Sequence, residues 1–375
     1  MKCLSLFSSG GLAETYFNQI GINVVLANEL IPERCKFYKH LYPKTEVIEG
    51  DITNKEIRSK IIDKSKLYDV DCIIATPPCQ GMSRHGKRDP LDPRNQLIYY
   101  AIDIIKKIKP KFVLIENVPR QLQTKICSDN KYMLIPDYIK MELNQLYKIY
   151  DNSIFNSANY GVPQNRKRSI FRMISKLSNK EWKRPKESKN IITLFDAIGH
   201  LPSLDPLVRE EEKRHHFPNF EKKKKAGIKI SKWHYPPTHG WNHVLWMMHT
   251  PSGKTAFDNK IYFPQKKDGT LIKGRISTYK RFSWNKPSNT ITQNNGVISS
   301  AICVHPGRLI NDNKNEKFRF YSDPRVLTIY ELMIISSLPK NIDFPEWSKE
   351  RLIRNIIGEG IPPLLTKSIM EEIIN

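Results

Sequence analysis

Residues 70–80 have the sequence VDCIIATPPCQ, in which a short apolar run leads directly into two prolines and a cysteine. The run Val70–Ala75 predicts a buried strand, because it is short, apolar and bounded by turn-forming residues. Cys79 then follows the carboxyl end of that strand, where open α/β sheets place their ligands. A lone cysteine in a turn is more often a packed or incidental residue than a nucleophile. The residues at the ends of the neighbouring strands decide between these two interpretations.

The first half of the chain alternates short apolar runs with amphipathic stretches, which is typical of a doubly wound parallel sheet. We therefore predict an α/β, Rossmann-like domain over residues 1–204. The turn Gly10-Gly11 is expected to open a helix that reaches Ile20, and a second helix is expected over about Pro32 to Leu41. The other predicted strands are Cys3–Leu6, Val24–Ala27, Thr45–Ile48 and Phe112–Ile115.

The character of the sequence changes after about Leu204. Basic and acidic segments, a stretch rich in Trp, His and Met from Trp233 to His249, and several turn-forming clusters replace the earlier alternation. We predict a small, mostly irregular or β domain over residues 205–350, without clear helical periodicity. Residues 351–375 are again amphipathic and predict a C-terminal helix that returns to the first domain.

The chain carries 61 Lys and Arg residues against 38 Asp and Glu residues, a net charge of +23. Such an excess is typical of a protein with a polyanionic partner such as DNA or RNA, although a lysine-rich background composition would also produce it. No apolar stretch approaches the length that spans a membrane. We therefore expect a soluble, cytoplasmic protein without a membrane partner.

The six cysteines have neither CxxC spacing nor a regular repeat. A disulfide framework or a zinc cluster is therefore not expected, and the pattern suits a reducing cytoplasm. Four histidines at positions 234, 239, 243 and 249 lack nearby cysteines and a fixed helical spacing, so we predict no metal site.

Three features at the ends of the first three predicted strands indicate a nucleoside pocket. Gly10 and Gly11 would let a cofactor approach the backbone, although any tight turn requires glycine. Glu29 follows about twenty residues later, the spacing of an acidic residue that binds ribose hydroxyls. Asp51 ends the third strand and would reach an adenine amino group. Because there is no lysine-containing phosphate loop, an adenosine without phosphates, such as S-adenosylmethionine, is favoured over ATP or NAD.

A cysteine that attacks C6 of a cytosine needs the ring to be polarised at the same time. A free thiol is only slightly ionised at neutral pH, but its thiolate is a strong nucleophile. Glu116, when protonated, would hydrogen-bond N3 of the base, and Arg166 and Arg168 would stabilise charge near O2. Each also has a plainer interpretation, as a charge at a helix amino terminus or as part of a solvated basic turn. Their occurrence together favours the catalytic interpretation.

The order of these motifs along nearly the whole chain resembles that of the DNA cytosine-5 methyltransferases of bacterial restriction–modification systems. The most specific part of the resemblance is the set Pro77–Gln80, Glu116–Val118 and Gln164–Arg168. The other matching segments are Phe7–Gly11, Asn28-Glu29, Gly50–Ile52, Arg281–Thr290, His305-Pro306, Pro324–Thr328 and Gly358–Pro363.

The resemblance implies methyl transfer from S-adenosylmethionine to C5 of a cytosine flipped out of a specific short duplex DNA sequence, through a bond between Cys79 and C6. Glu116, Arg166 and Arg168 would complete the catalytic set, and residues 205–350 would be the target-recognition domain. The implied cofactor-binding residues are Phe7, Gly10, Gly11, Glu29, Asp51, Ile52, Pro78, Leu97 and Gly360. The candidate DNA-binding residues are Gln80, Ser83, Arg84, Arg88, Gln164, Arg281, Asn242 and Lys254.

Two departures from the family pattern concern the methionine end of the cofactor. The turn after Phe7 has fewer glycines than usual, and Glu359 stands where the family commonly has Asn. We expect activity all the same, with double-stranded DNA as the partner, a monomeric protein and a separately encoded cognate restriction endonuclease. Two alternatives stay open, namely a tRNA cytosine-5 methyltransferase and a catalytically silent DNA-binding regulator.

Overall fold

The computed structural model describes residues 1–78, 92–128, 131–150, 153–266, 268–274 and 277–374. A sheet with five parallel strands forms the centre of the molecule. The sheet reverses its winding between the first and fourth strands, so a crevice opens there at the carboxyl ends. The strands are β1 (Lys2–Leu6), β2 (Asn23–Glu29), β3 (Glu46–Glu49), β4 (Cys72–Ala75) and β5 (Phe112–Asn117), in the spatial order β3-β2-β1-β4-β5.

Antiparallel strands extend this sheet beyond β5. β11 (Lys167–Ser175) pairs antiparallel with β5, and β8 (Tyr147–Tyr150) and β9 (Ile154–Asn156) pair antiparallel with β11. The predicted Rossmann-like α/β class is confirmed, and the sheet is mostly rather than wholly parallel. The remaining strands of this part are β6 (Lys125–Ser128), β7 (Lys131–Leu134) and β10 (Gln164–Asn165).

The central strands are buried along their whole length, as expected for a sheet covered on both faces. All four residues of β4 and all six of β5 are buried, Glu116 and Asn117 included. The helix after β4 buries Ile98, Ile102 and Ile105, which are spaced to lie on one helical face. The helices of this part are α1 (Pro32–Leu41), α2 (Lys55–Leu67), α3 (Leu97–Ile108), α4 (Ile135–Leu143) and α5 (Leu194–Ile198).

The segment after β1 does not form the helix predicted there. It forms two 3-10 turns, Leu12–Glu14 and Phe17–Ile20. Glu14, the last residue of the first turn, is buried and accepts hydrogen bonds from the hydroxyls of Ser5 and Tyr38. A buried carboxyl group requires such partners, and these tertiary contacts override the local helical pattern.

In the part that the structure describes, residues 205–350 contain short strands together with three α-helices that the sequence pattern does not predict. Two of them are α6 (Phe220–Ile230) and α7 (Trp241–Met248), and the third precedes the C-terminal segment at Ile329–Ile335. A run of four lysines in α6 and the histidine and tryptophan residues of α7 hide the apolar spacing. The strands are β12 (Leu207–Val208), β13 (Thr238–His239), β14 (Ser288–Asn289), β15 (Leu309–Asn311) and β16 (Phe320–Tyr321).

Helix α8 (Ile329–Ile335) joins the two parts of the molecule. It belongs to an apolar cluster in which Phe37 of α1 and Leu194 of α5 pack with Phe282. A smaller cluster around Trp246 lies within residues 205–350. The two predicted domains therefore share a hydrophobic core across their boundary.

The chain ends in two helices, where the sequence pattern predicts one. α9 (Glu350–Glu359) and α10 (Pro363–Glu371) are separated at residues 360–362, because consecutive prolines interrupt the α9 helix. In α10, Leu365 and Ile369 pack in one apolar cluster with Phe17 of the second 3-10 turn. The end of the chain thus lies against the first domain.

A buried ionic network lies at the start of α8. The guanidinium of Arg325 donates to Asp323 at 2.8 Å and to both carboxylate oxygens of Glu331 at 2.8 and 2.9 Å. Glu331 also accepts from the backbone N–H of Thr328, whose side chain caps α8 in return. Burial raises the pKa of Glu331, but the charges of Arg325 and His305 outweigh burial and bring this pKa to about 2.

Candidate active site

The ends of β4 and β5 are tied together beside the predicted nucleophile. Asn117 Nδ2 donates to the carbonyl of Pro77 at 3.0 Å, and its Oδ1 accepts from the backbone N–H of Val118 at 2.8 Å. This amide therefore fixes the chain just before Cys79 relative to Glu116. The predictions for Cys79, Gln80, Ser83, Arg84 and Arg88 concern residues outside the described ranges.

Glu116 and Arg168 form a buried ion pair at this edge of the sheet. Arg168 Nε lies 2.8 Å from Glu116 Oε1, and both side chains are at most one-tenth exposed. The antiparallel pairing of β11 with β5 brings them together, since Glu116 lies opposite Ile170, two residues after Arg168. Burial raises the pKa of Glu116 above its usual value, while the charges of Arg168 and Arg166 oppose that rise. The carboxyl group is therefore easier to protonate than an exposed glutamate.

Arg166 is buried too, but its guanidinium is directed largely at backbone carbonyls. Nη1 donates to the carbonyl of Ile291 at 2.7 Å, and Nη2 donates to those of Gly358 and Glu359 at 3.0 and 2.7 Å. These contacts attach the strand that carries Arg168 to two distant parts of the chain. The contact of Arg166 with O2 of a cytosine stays a prediction. The observed contacts indicate that Arg166 also positions the strand that carries Arg168.

Gln164 lies inside the protein. Its amide nitrogen donates to the carbonyl of Ile335 at 3.3 Å and to the hydroxyl of Ser336 at 3.4 Å, and its oxygen accepts from the N–H of Ile291 at 3.2 Å. The side chain joins β10 to α8 and to the segment after β14. This placement argues against the predicted DNA contact.

Arg281 is fully buried, where the sequence suggests a DNA contact. Its guanidinium donates to the carbonyls of Met247 and His305, both at 2.7 Å, and to that of Asp323 at 3.1 Å. Burial lowers the pKa of Arg281 to about 9. We therefore correct its role to that of an internal brace of residues 205–350. Asn242 and Lys254, by contrast, are exposed, and their DNA contacts stay a prediction.

The turn after β1 has an unusual backbone. Phe7 and Ser9 adopt positive φ angles of 59° and 48°, and Gly11 has a φ of 74°. A Cβ atom on Gly10 would lie 2.6 Å from the side chain of Ile356, and one on Gly11 would meet tyrosine rings of α1. These glycines are therefore required by the packing of the protein itself, in addition to any cofactor.

Glu29 organises this turn from the end of β2. Its Oε2 accepts from the N–H of Ser9 at 2.8 Å, and its Oε1 accepts from the N–H groups of Leu30 and Ile31 at 2.9 and 3.0 Å. A carboxylate has about four acceptor positions, so one stays available to a ribose hydroxyl. The backbone around Glu29 thus holds the carboxylate in place at the crevice.

The expected adenine pocket combines apolar and acidic residues. Ile52 is buried in the main core, and Phe7 and Leu97 pack against that core while staying partly exposed. Asp51 is exposed and accepts a hydrogen bond from the N–H of Thr53 at 2.8 Å. Pro78, which ends the described segment at β4, is also partly exposed.

Glu359 connects the two departures from the family pattern. Its Oε1 pairs with Arg34 Nη2 at 2.6 Å and accepts a hydrogen bond from the amide of Gln293. Its Oε2 accepts from the hydroxyl of Ser9 at 3.4 Å. Gly360, the next residue, packs close to Leu12. Sequence reasoning missed Arg34 and Gln293, since no local spacing relates residues so far apart in the chain.

The four histidines considered as ligands have other partners. His234 Nδ1 bonds the hydroxyl of Thr328 at 3.0 Å, and His239 Nε2 accepts from the N–H of Val326 at 3.2 Å. Within the described ranges there is no cluster of three or more His, Cys, Asp or Glu side chains that could hold a metal ion. In the same part of the chain, no helix has the length and apolar character needed to cross a membrane.

The whole chain, residues 1–375, matches the sequence model of the C-5 cytosine-specific DNA methylases. The protein belongs to this family. The methylase is 41% identical, over 377 residues, to the type II methyltransferase M1.HgaI of Avibacterium volantium, covering 99% of this chain and 98% of that protein. The type II methyltransferase M1.HphI of Haemophilus parahaemolyticus is 26% identical, covering 99% of this chain and 86% of its own length.

A solved structure has the same fold as the methylase at much lower identity. A DNMT2 variant of Spodoptera frugiperda superimposes with a TM-score of 0.63 at 16% identity, covering 100% of this chain and 99% of its own. The predicted family, fold class and enzyme class are thus confirmed, and the methylase is a DNA cytosine-5 methyltransferase of the type II restriction–modification class. Neither the tRNA alternative nor the silent regulator is favoured.

Proposed function

We propose that Cys79 bonds covalently to C6 of a cytosine flipped out of a specific short duplex DNA sequence, so that C5 accepts a methyl group. The observation that supports this mechanism most is the buried pair of Glu116 and Arg168. A carboxyl group with a raised pKa beside a guanidinium suits the N3 and O2 edge of cytosine.

Glu116 would act as the proton donor to N3. Because Arg168 Nε already donates to Oε1, the proton of the neutral carboxyl group would be carried by Oε2. Arg168 would direct its remaining N–H groups to O2 of the base. Protonation at N3 withdraws electrons from the ring, which makes C6 more susceptible to the Cys79 thiolate.

The bond changes start at Cys79. The Sγ–C6 bond forms while the electron pair of the C5–C6 double bond becomes available at C5. C5 takes the methyl group, and the electron pair of the broken S–CH₃ bond stays on the donor sulfur, which leaves as a thioether. Loss of the C5 proton to water then restores the C5–C6 double bond and breaks the Sγ–C6 bond, and the N3 proton returns to Glu116. The thiolate is then free for another turnover.

We propose S-adenosylmethionine as the methyl donor; when bound, it supplies an electrophilic methyl group. The residues present fit it, because Glu29 retains an acceptor position for the ribose and the crevice lies at the switch point between β1 and β4. Arg34 and Glu359 offer opposite charges for its amino-acid end. The adenosine would be held by Phe7, Asp51, Ile52, Pro78 and Leu97, with Gly10, Gly11 and Gly360 shaping the turn.

DNA recognition would use exposed residues of the second domain, with Asn242 and Lys254 as candidates, together with Gln80, Ser83, Arg84 and Arg88. We propose that methylation protects DNA from a separately encoded restriction endonuclease, and that the methylase acts as a monomer.

Covalent trapping tests the mechanism directly. A duplex that contains 5-fluorocytosine at the target position should form a denaturant-stable adduct with the methylase and S-adenosylmethionine, since fluorine at C5 blocks the elimination. The Cys79→Ser variant should form none. A missing adduct with the intact enzyme, or an adduct with the variant, would contradict the mechanism. Bisulfite sequencing of plasmid DNA from expressing cells supplies the target sequence for the duplex.

A further inference from the structure

Helix α6 carries three lysines on one face that is turned away from the protein. Lys222, Lys225 and Lys229 are exposed, and their spacings of three and four residues place them on one side of the helix. Gly227 lies on the opposite side and is buried, where a Cβ atom would approach the carbonyl of His234 to 2.5 Å. We call the three residues the lysine stripe.

Within the described ranges, no ion pair neutralises the lysine stripe. Two other lysines of α6 have acidic partners, since Lys223 Nζ lies 2.6 Å from Asp205 and Lys224 Nζ lies 3.7 Å from Glu221. None of the three stripe lysines has a carboxylate within ion-pair distance in the part of the chain that the structure describes. Three positive charges thus face solvent over about 10 Å, at 1.5 Å of helix rise per residue.

The stripe is held on a rigid support. Gly227 packs against Leu204 and His234, and Lys223 fastens the helix to Asp205. His234 is buried and bonds the hydroxyl of Thr328, which caps α8 beside the ionic network. The lysines are therefore positioned by the core that joins the two domains and do not belong to a free tail.

We propose that the lysine stripe binds the phosphate backbone of duplex DNA, outside the contacts that read bases. One DNA strand carries a phosphate about every 3.4 Å of helix axis, so a stripe of about 10 Å can meet about three of them. Lysine is a point charge on a flexible stem, which suits phosphates without selecting a sequence. This inference rests on the proposed action on duplex DNA.

An acidic protein surface is the other occupant to consider, because two exposed isoleucines, Ile228 and Ile230, border the stripe. The positive charge of the protein favours DNA over an acidic protein as the partner. The chain as a whole has a net charge of +23, and the family acts on a polyanion. A protein partner would leave DNA binding unchanged when the stripe is removed.

The test compares two triple variants of the full chain. The first, Lys222→Gln with Lys225→Gln and Lys229→Gln, removes the stripe. The matched control, Lys44→Gln with Lys60→Gln and Lys66→Gln, removes the same charge from exposed positions in and before α2. Glutamine keeps helix propensity, and thermal melts verify folding. Fluorescence anisotropy measures the affinity for a duplex with the target sequence and for one without it, between 50 and 200 mM salt.

We expect the stripe variant to bind both duplexes more weakly. The slope of log affinity against log salt concentration should be smaller by about 2.7, since each of three lost phosphate contacts contributes about 0.9. The ratio of the native affinity for DNA to that of the stripe variant should then fall about 40-fold between 50 and 200 mM salt. The control should differ little from the native chain. The proposal is overturned if the stripe variant binds DNA like the native chain, or if both triple variants lose affinity equally.

A failure of the proposed function would look different. In that case the native chain would leave every duplex unmethylated, whatever the two triple variants do in the binding assay. Methylation at saturating DNA should be unchanged in the stripe variant, since no stripe residue belongs to the candidate active site.

Discussion

Glu116 and Glu331 are both buried and both contact an arginine, yet their pKa values move in opposite directions. Glu116 has a single arginine contact at one oxygen, and burial dominates, so its pKa rises. Glu331 has a two-point contact with Arg325, a backbone N–H and a nearby imidazole, and its pKa falls to about 2. The number of partners thus separates a group that can exchange a proton from one that holds the fold together.

The largest expected effect is on the rate of methylation when Glu116 is changed. Glu116→Gln keeps the shape and a hydrogen-bond acceptor for Arg168 but removes the proton that the carboxyl group would deliver to N3. We expect methylation to fall by about 10²- to 10⁴-fold, the usual contribution of a positioned acid. Rates under saturating DNA and cofactor, normalised to folded protein, measure this. Near-native methylation rates in the Glu116→Gln variant would contradict the proposed role of Glu116 as a proton donor.

Glu331→Gln should lower the stability of the protein and leave the methylation rate of the folded protein nearly unchanged. Removing one partner of a buried ion pair leaves Arg325 incompletely compensated, at a cost of about 3–5 kcal/mol in the free energy of unfolding. Methylation by the molecules that remain folded should be close to native. Urea unfolding at pH 7, beside the Glu116 variant, tests the claim. Equal destabilisation by the two substitutions would contradict it.

The pH dependence of stability sharpens the same contrast. Since the folded pKa of Glu331 is about 2 against an ordinary 4.5, its contribution is present above about pH 4.5 and is lost as the pH falls toward 2. The difference between these two pKa values corresponds to about 3 kcal/mol in the free energy of unfolding. Glu116, with a raised pKa, has the opposite sign, because the folded state loses stability as the pH rises through that pKa. In urea titrations, Glu331→Gln should flatten the acid limb of the stability curve.

A smaller effect is expected on the pH profile of the enzyme when Arg168 is changed. Arg168→Gln removes a charge that lowers the pKa of Glu116, so this pKa should rise further. The alkaline limb of the methylation rate should shift to higher pH although the rate itself falls. A lower rate with an unshifted limb would mean that Arg168 acts on the base alone.

The smallest effect concerns Glu359, a third carboxyl group with an arginine partner, which is only partly buried. Glu359→Gln should weaken binding of S-adenosylmethionine by about 3- to 10-fold, the net contribution of one ordinary hydrogen bond. Binding of 5′-methylthioadenosine, which lacks the amino-acid end, should not change. Calorimetric titration of both ligands checks this, and equal losses would place Glu359 away from the methionine end.

The sequence was sufficient to predict that several candidate site residues lie at the ends of strands. Glu116, Glu29 and Asp51 come directly after apolar runs, and the carboxyl ends of parallel strands meet at one edge of the sheet. The prediction of one C-terminal helix over residues 351–375 was wrong, although Gly360 and two prolines mark the break between α9 and α10.

The interior roles of arginine were not predictable in this way. Arg166 and Arg281 lie in basic or aromatic stretches that resemble a DNA-binding surface, yet both donate to backbone carbonyls inside the protein. A carbonyl belongs to every residue and has no signature in the sequence. The 3-10 turns after β1 were not predicted for a related reason, because buried contacts of Glu14 determine them.

The three carbonyl contacts of Arg166 have a consequence for the order in which the protein is made. Its partners at Gly358 and Glu359 are synthesised 192 and 193 residues later. At 5–20 residues per second, a ribosome needs about 10–40 s to reach them. During that interval the sheet and Glu116 exist without the contacts that hold the arginine strand in place. We therefore expect a nascent chain to be inactive toward DNA until α9 has left the ribosome.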